Sequence, residues 1–311
     1  MSAGREYFNP AAMNAPVPHL SVLAPFYRDD PLPLAYALAE QADGLDVPIE
    51  IVLFDDGEPD PALNAAVTMT LESLDVPACL VTAGRNIGRA AARNRLARAA
   101  RGDWLLYLDA DMDIPDGFLA EWAALVDAQD FDAAFGGYEP GPAYDPRHRL
   151  HAALAATSDV HNAASRTLIG ATAVCSSNLL VRKTLMHTTP FDESFTGWGW
   201  EDVDWAVRAA DAGTLIHIDN PARHDGWQDV TTLLSKYRDA AVNYARLLDK
   251  HPQLASLPGA RAAHTLRALP GQHVLRGLWA SLARANGAPM RLRTLALKLW
   301  RASWAAEALA S

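Results

Sequence analysis

The chain has 311 residues, 50% hydrophobic and 21% charged, with 27 Lys and Arg against 37 Asp and Glu. That is enough apolar material for one large or two small domains with a real core. The two cysteines, Cys79 and Cys175, have no short spacing, which excludes a disulfide framework and a structural zinc site.

No apolar run approaches the roughly 18 residues that span a bilayer, and the first twenty residues lack a basic start followed by an apolar stretch. A reducing, cytoplasmic location is the expectation. The formal net charge of −10 is unevenly spread. From Arg261 onward there are eight basic residues and one acid, a formal +7, which leaves −17 on the first 260 residues. An acidic body lacks the basic footprint of nucleic-acid binding.

Residues 1–18 read as a loose leader. HLSVLAPFY (19–27) then predicts a buried strand, LPLAYALAEQA (32–42) a helix and PIEIVLFDDG (48–57) a second buried strand. ACLVTA (78–83) predicts a strand, GRAAARNRLARAA (88–100) a helix, DWLLYLDAD (103–111) a strand and FLAEWAALVDAQ (118–129) a helix. Apolar runs that do not alternate, separated by helices, are the pattern of a mostly parallel sheet flanked by helices. Ligands in such sheets lie beyond the carboxyl ends of the strands. Three of those ends carry Tyr27, the Asp55-Asp56 pair, and Asp109 with Asp111.

Further on, 136–146 is rich in Gly, Pro and Tyr and shows no period, and 136–178 holds no readable motif. SSNLLVRK (176–183) predicts a strand. Val203, Ala206, Val207 and Ala210 space a helix over 201–212 that Gly213 ends, and TLIHI (214–218) predicts a last strand.

Asp109, Asp111 and Asp113 alternate as the chain leaves a buried strand, an oxygen-donor set suited to Mg²⁺ or Mn²⁺. The plain alternative is an acidic turn before a helix. A calcium loop is excluded, because Ile114 stands where its glycine and Ala120 where its glutamate is required. The second acidic cluster, FDESFTGWGWEDVDW, sets Trp198, Gly199 and Trp200 before Glu201, Asp202 and Asp204. Acids at a helix start complement the helix dipole. Tryptophans beside glycine add a flat apolar face of the kind that packs on a sugar ring.

Together, SVLAPFY, IVLFDDG, RNIGRAAARN, LLYLDADMD, SSNLLVRK and the Trp-Gly loop resemble, in order and spacing, the inverting family 2 glycosyltransferases of the GT-A fold. The last segment is also similar to the C-terminal motif of β-1,4-galactosyltransferases. The resemblance covers roughly 19–230. It implies a catalytic domain there, with a nucleotide-binding half over 19–113 and an acceptor half over 114–230. It further implies Tyr27 against the nucleotide base, Asp56 accepting a hydrogen bond from a uracil imide, and Arg89 or Arg93 near the base or phosphates. Asp109 would face the ribose and the metal, and Asp111 and His224 would ligate Mn²⁺ or Mg²⁺. Asp202 would be the general base, with Glu201, Trp198 and Trp200 toward the acceptor. The reaction so implied moves a hexose from a nucleotide-sugar donor, UDP-linked, to a hydroxyl of a glycan or lipid-linked glycan with inversion. Such loops usually carry Gly immediately before the Glu-Asp pair, where this chain has Trp200, a bulk expected to narrow the acceptor site.

Two rivals are weighed. A sugar-1-phosphate nucleotidyltransferase needs a Gly-rich basic loop after the first strand, and LAPFYRDDP has none. A catalytically inactive binding module would lack one of Asp109, Asp111 and Asp202, and all are present.

Past residue 230 the motifs stop. KYRDAAVNYARLLDKHP predicts a helix ended by Pro252, within a helical basic extension over 231–311. Its Arg and Lys lie among Leu275, Leu278, Trp279, Leu297, Trp300 and Trp304. Two readings stand: helices packed on the rest of the protein or in a dimer contact, or a peripheral element at the inner face of a membrane.

Overall fold

The structure, a computed structural model, describes residues 5–128, 130–158, 160–224 and 226–310. Its first part lays down β1 (Arg5–Phe8), β2 (Leu20–Phe26), α1 (Leu32–Asp43), β3 (Ile49–Asp55), α2 (Pro61–Ser73), β4 (Ala78–Thr82), α3 (Arg89–Ala99) and β5 (Trp104–Leu108). Then follow β6 (Met112–Asp113), α4 (Phe118–Ala128), β7 (Ala133–Phe135), β8 (Tyr138–Pro140), α5 (Arg149–Ser158), α6 (Ala163–Ile169), β9 (Asn178–Arg182) and α7 (Lys183–Thr188). The last part holds α8 (Glu201–Ala212), β10 (Leu215–His217), β11 (Ala222–His224), α9 (Val230–Asp239), α10 (Ala241–Lys250), α11 (Pro258–Arg267), α12 (Gln272–Arg284) and α13 (Met290–Ala308). The described residues divide into two compact units, one of 5–128, 130–141, 161–194 and 205–224, the other of 142–158, 160, 195–204 and 226–310.

In the first unit an eight-stranded sheet runs β1-β4-β3-β2-β5-β9-β7-β10. The apolar runs read as parallel strands are so: β2 pairs in parallel with both β3 and β5, while β9 enters antiparallel between β5 and β7. All residues of β3 and β5 are buried, which is why their sequences do not alternate. The chain winds outward from β2 through β3 to β4, then returns to β5 on the other side of β2. Strand order therefore reverses between β2 and β5, the place where such sheets open a crevice. Phe26 is in register with Asp55, so Tyr27 and Asp56 leave the sheet together.

The leader is not loose over the described part. β1 pairs antiparallel with β4, and the fully buried Asn9 explains why. Its amide donates to the carbonyls of Leu71, Leu74 and Val76 and its oxygen accepts from Ala12 and Ala78, all at 2.9–3.1 Å. This network covers an otherwise open sheet edge. Residues 1–4 and Gln129, the last residue of a predicted helix, lie outside the described residues.

A second sheet in the same unit, β6-β11-β8, has strands of two or three residues. β11 pairs antiparallel with β6, setting His224 opposite Met112, and in parallel with β8. Elements this short carry no readable period, and His224 lies in a strand beyond the last one the sequence predicts.

The second unit is helical. Leu150, Leu154, Leu233, Leu234, Tyr237, Ala280, Ala283, Ala296 and Leu297 form its core. The single helix expected from Lys236 is two, α9 and α10, meeting at Ala240. The region read as a separate extension thus shares its core with α5, far back in the sequence. Three of its arginines act inside that unit. Arg276 donates from Nε to Ser303 Oγ (2.9 Å), lies over Trp304 (3.8 Å to the ring centroid) and pairs with Glu307. Arg293 donates to the Ala283 carbonyl, and Arg301 lies over Trp200 and Tyr237.

Candidate functional site

In the first unit the polar groups gather at the carboxyl ends of β2, β3 and β5. Asp56 Oδ1 accepts from the Ile87 amide (2.6 Å) and Oδ2 from the Gly88 amide (3.2 Å), fixing the loop that leads into α3. Burial pushes its carboxyl above the ordinary range, the two amide donors opposing that rise. Gly57 makes the approach possible. At φ +76° it turns left-handed, and a Cβ there would fall 2.3 Å from the Arg85 carbonyl carbon. Tyr27 is half-buried, with the Arg28 guanidinium 5.1 Å from its ring centroid.

Both arginines left open by the sequence converge on Asp109. Arg89 Nη2 is 3.0 Å from Oδ2 and Arg93 Nη2 is 2.7 Å from Oδ1. Burial alone would raise the Asp109 pKa, but the two guanidinium charges outweigh it and hold the carboxyl below its ordinary value. The arginines are not equivalent. The Arg93 side chain is 1% exposed and that of Arg89 39%. Arg93 is an anchor, and Arg89 is the one with a face toward solvent. Asp109, expected to share the metal, has both oxygens engaged by arginine.

Asp111 and His224 do come together, with Oδ2 3.2 Å from Nε2. β11 delivers the histidine beside the aspartate that precedes β6. Burial disfavours the imidazolium, but the hydrogen bond and charge of Asp111, with Asp109 behind it, raise the His224 pKa overall. Next door Arg223 pairs with Asp113, so the third acid of the alternating set is a structural partner. Among the described residues no group of three or more His, Cys, Asp and Glu could hold a metal ion. Asp111 and His224 nonetheless fit a divalent ion. A carboxylate oxygen and an imidazole nitrogen suit Mn²⁺, and such ions commonly take one or two protein carboxylates plus substrate phosphates.

The second unit carries the Trp-Gly loop and the start of α8. Gly197, Gly199 and Trp200 all have positive φ, at 78°, 89° and 77°. For tryptophan that conformation is costly, and glycine would adopt it freely. The Trp200 ring stacks on Tyr244 at 4.4 Å, and the Arg301 guanidinium lies 4.7 Å from its centroid. Its ring is thus packed against α10 and α13. Asn243 ties the same loop down, donating to the carbonyls of Thr196 (2.9 Å) and Gly199 (3.1 Å). Trp198 is half-buried, tilted against Tyr237 with Lys236 Nζ 5.6 Å from its ring.

The three acids of α8 have different surroundings. Glu201 is buried, Asp202 is half-buried with Oδ1 accepting from the Val203 amide, and Asp204 is fully buried. Lys250 Nζ (2.7 Å) and His251 Nε2 (2.9 Å) both meet Asp204 Oδ1. Asp204 therefore clamps the end of α10, where the sequence suggested only a helix-dipole acid. Tyr244, Asn243, Lys250, His251 and Arg301 were not legible as site residues, since they lie some 40 to 100 positions from the loop they hold.

The family model described as glycosyl transferase family 2 matches residues 21–184, just over half of the chain. No curated protein matches it. Among solved structures, the mannosyltransferase PcManGT from Pyrobaculum calidifontis, in complex with GDP-Man and Mn²⁺, is similar at 18% identity. That match covers 92% of this chain and 86% of that one, with a TM-score of 0.58. S. aureus TarS 1-349 in complex with UDP is similar at 15% identity over 94% of this chain and 90% of that one, with a TM-score of 0.53. At such identities the likeness speaks for the fold. With strand order and family model in agreement, the chain belongs to glycosyl transferase family 2 and has the GT-A fold.

Proposed function

We propose that the protein transfers a hexosyl group from a nucleotide-sugar donor, UDP-linked, to a hydroxyl of a glycan or lipid-linked glycan, with inversion and with Mn²⁺ or Mg²⁺. The observation that carries this reading is the Asp111–His224 pair beside the arginine-held Asp109, at the point where strand order reverses. Tyr27 and Asp56 serve the nucleotide base, the latter through lone pairs not used by Ile87 and Gly88. Arg89, the more exposed of the two arginines, serves the phosphates, and Arg93 holds Asp109 in place. Asp111 and His224 hold the ion, which when bound neutralises charge on the leaving diphosphate.

Asp202 takes the proton from the acceptor hydroxyl as that oxygen attacks the anomeric carbon. The bond from that carbon to the diphosphate oxygen breaks as the new glycosidic bond forms. A carboxylate suits this role when anionic and within about 3 Å of the hydroxyl. Attack opposite the leaving group converts an α-linked donor into a β-glycoside. Glu201, Trp198 and Trp200 serve the acceptor, and the stack on Tyr244 holds the Trp200 ring in place. The likeness of the loop to β-1,4-galactosyltransferases supports a hexose donor, and surface-polysaccharide or glycoconjugate assembly is the context this reading favours.

Thermal unfolding with UDP, GDP, CDP or dTDP, each with Mn²⁺ or with EDTA, tests the donor side without an acceptor. A ligand at about 100 times its dissociation constant stabilises by about 2.7 kcal/mol. A rise with UDP that needs Mn²⁺ is the expected result. A preference for GDP reassigns Asp56, and no response to any nucleotide defeats the reading.

A further inference from the structure

Between Asp249 and Glu307 the chain has no acidic residue, although the first 260 residues carry −17. Arg276, Arg293 and Arg301 of this stretch are used inside the helical unit. Arg267, Arg284, Arg291 and Lys298 are exposed instead. Apolar side chains stand among them. On α12, Val274 and Leu278 are one turn apart and exposed, Leu278 at 61%; on α13, Leu292 and Leu295 are exposed between Arg291 and Lys298, Leu295 at 51%. On α12 the opposite face is the buried one, with Arg276, Ala280 and Ala283, and on α13 the buried flank carries Arg293, Ala296 and Leu297. The hairpin is cross-linked by Arg276 to Ser303 and by Arg293 to the Ala283 carbonyl, so its outer face is formed in advance.

We propose that the exposed face of the α12–α13 hairpin seats the protein on an anionic lipid surface. Leucine and valine enter the headgroup–acyl boundary while arginine and lysine keep their charges at the phosphates, the arrangement of an interfacial helix. Charge selects the partner. A basic segment is drawn to an anionic leaflet, whereas the −17 carried by the rest of the chain is repelled by it. A nucleic acid or other soluble polyanion accounts for the basic residues but gives Val274, Leu278, Leu292 and Leu295 nothing to do. No helix among the described residues is long and apolar enough to cross a membrane, so the contact is peripheral. It would hold the protein where lipid-linked acceptors are found, which goes beyond the transfer reaction itself.

The test is flotation of the full chain with phosphatidylcholine vesicles, with or without about one third phosphatidylglycerol. Binding to the anionic vesicles alone is expected, weakening with salt, since each basic residue near the surface contributes roughly a fivefold change in partitioning. Leu278→Glu with Leu295→Glu should reduce binding at least about tenfold with the melting temperature unchanged, while Leu168→Glu, at a residue 90% exposed in the other unit, should leave it intact. Absence of binding to anionic vesicles overturns the proposal. So does binding that heparin abolishes and the leucine variants leave unchanged, which would assign the face to a soluble polyanion. No nucleotide enters these measurements, so their outcome is separate from that of the transferase reading.

Discussion

Trp200 stacks on Tyr244 at 4.4 Å and 28° while its own backbone stands at φ +77°. Two effects oppose each other at this residue. The left-handed backbone costs a tryptophan about 1–2 kcal/mol. The stacked pair contributes about 0.5–1.5 kcal/mol beyond area burial, and the Arg301 cation about 0.5–1 kcal/mol more. Burying part of an indole adds to the favourable side. Trp200→Gly is therefore expected to lower stability by about 1–2 kcal/mol, although glycine is the residue the backbone itself prefers. A denaturant midpoint that rises in Trp200→Gly would show that the strain outweighs the stack.

Asp109 and Asp111 lie two residues apart and should respond oppositely to the same change. Asp109→Asn removes a charged partner of the buried Arg93 guanidinium, and breaking such a pair costs about 3 kcal/mol or more. The Asp111 side chain is 34% exposed, and Asp111→Asn should stay within about 0.5 kcal/mol of the parent. In the nucleotide series the order reverses: Asp111→Asn should lose the part of the UDP-dependent stabilisation that needs Mn²⁺. Unchanged Mn²⁺ dependence in that variant would remove Asp111 from the metal pair.

The sheet was legible because its strands are long apolar runs buried on both faces, as in LSVLAPF, IEIVLFD and WLLYL. The acids and Tyr27 were legible for a related reason, since they follow those runs directly. The partners were not. Arg89 and Arg93 could not be ranked, because burial of Arg93 depends on tertiary packing. His224 reaches Asp111 through a three-residue strand without a period of its own, and Asn9 pins a leader whose composition suggested a loose segment. Contacts made by α10 and α13 on the Trp-Gly loop join positions whose separation carries no local signal.

Cys79 gives a prediction free of any assumption about the reaction. Burial pushes its thiol up to about 12, so at pH 8 only about one molecule in ten thousand carries the reactive thiolate. Native protein treated with iodoacetamide at pH 8 should leave Cys79 unmodified by peptide mass spectrometry. Denaturation before treatment should expose it. Rapid labelling of Cys79 in the native protein would contradict its burial in β4.

Asp202 and Asp204 sit two residues apart at the start of one helix, and their surroundings separate a chemical role from a structural one. Asp204 is fully buried with Lys250 and His251 on the same carboxylate oxygen. Asp204→Ala removes the buried carboxylate that both groups meet and should cost about 3 kcal/mol, visible in the melting temperature with no nucleotide present. Asp202 is half-buried, and its Oδ1 accepts a hydrogen bond from the adjacent Val203 amide. Asp202→Asn keeps the shape and a carbonyl oxygen for that amide, so stability and nucleotide-induced stabilisation should stay near those of the parent. An amide cannot accept the acceptor's proton, so turnover should fall by 100-fold or more, about the usual range for a lost general base. A product assay on the nucleotide-sugar that the unfolding series selects decides the matter. Residual transfer in Asp202→Asn with weakened nucleotide binding would move Asp202 from proton transfer to donor binding and leave the base to be found elsewhere.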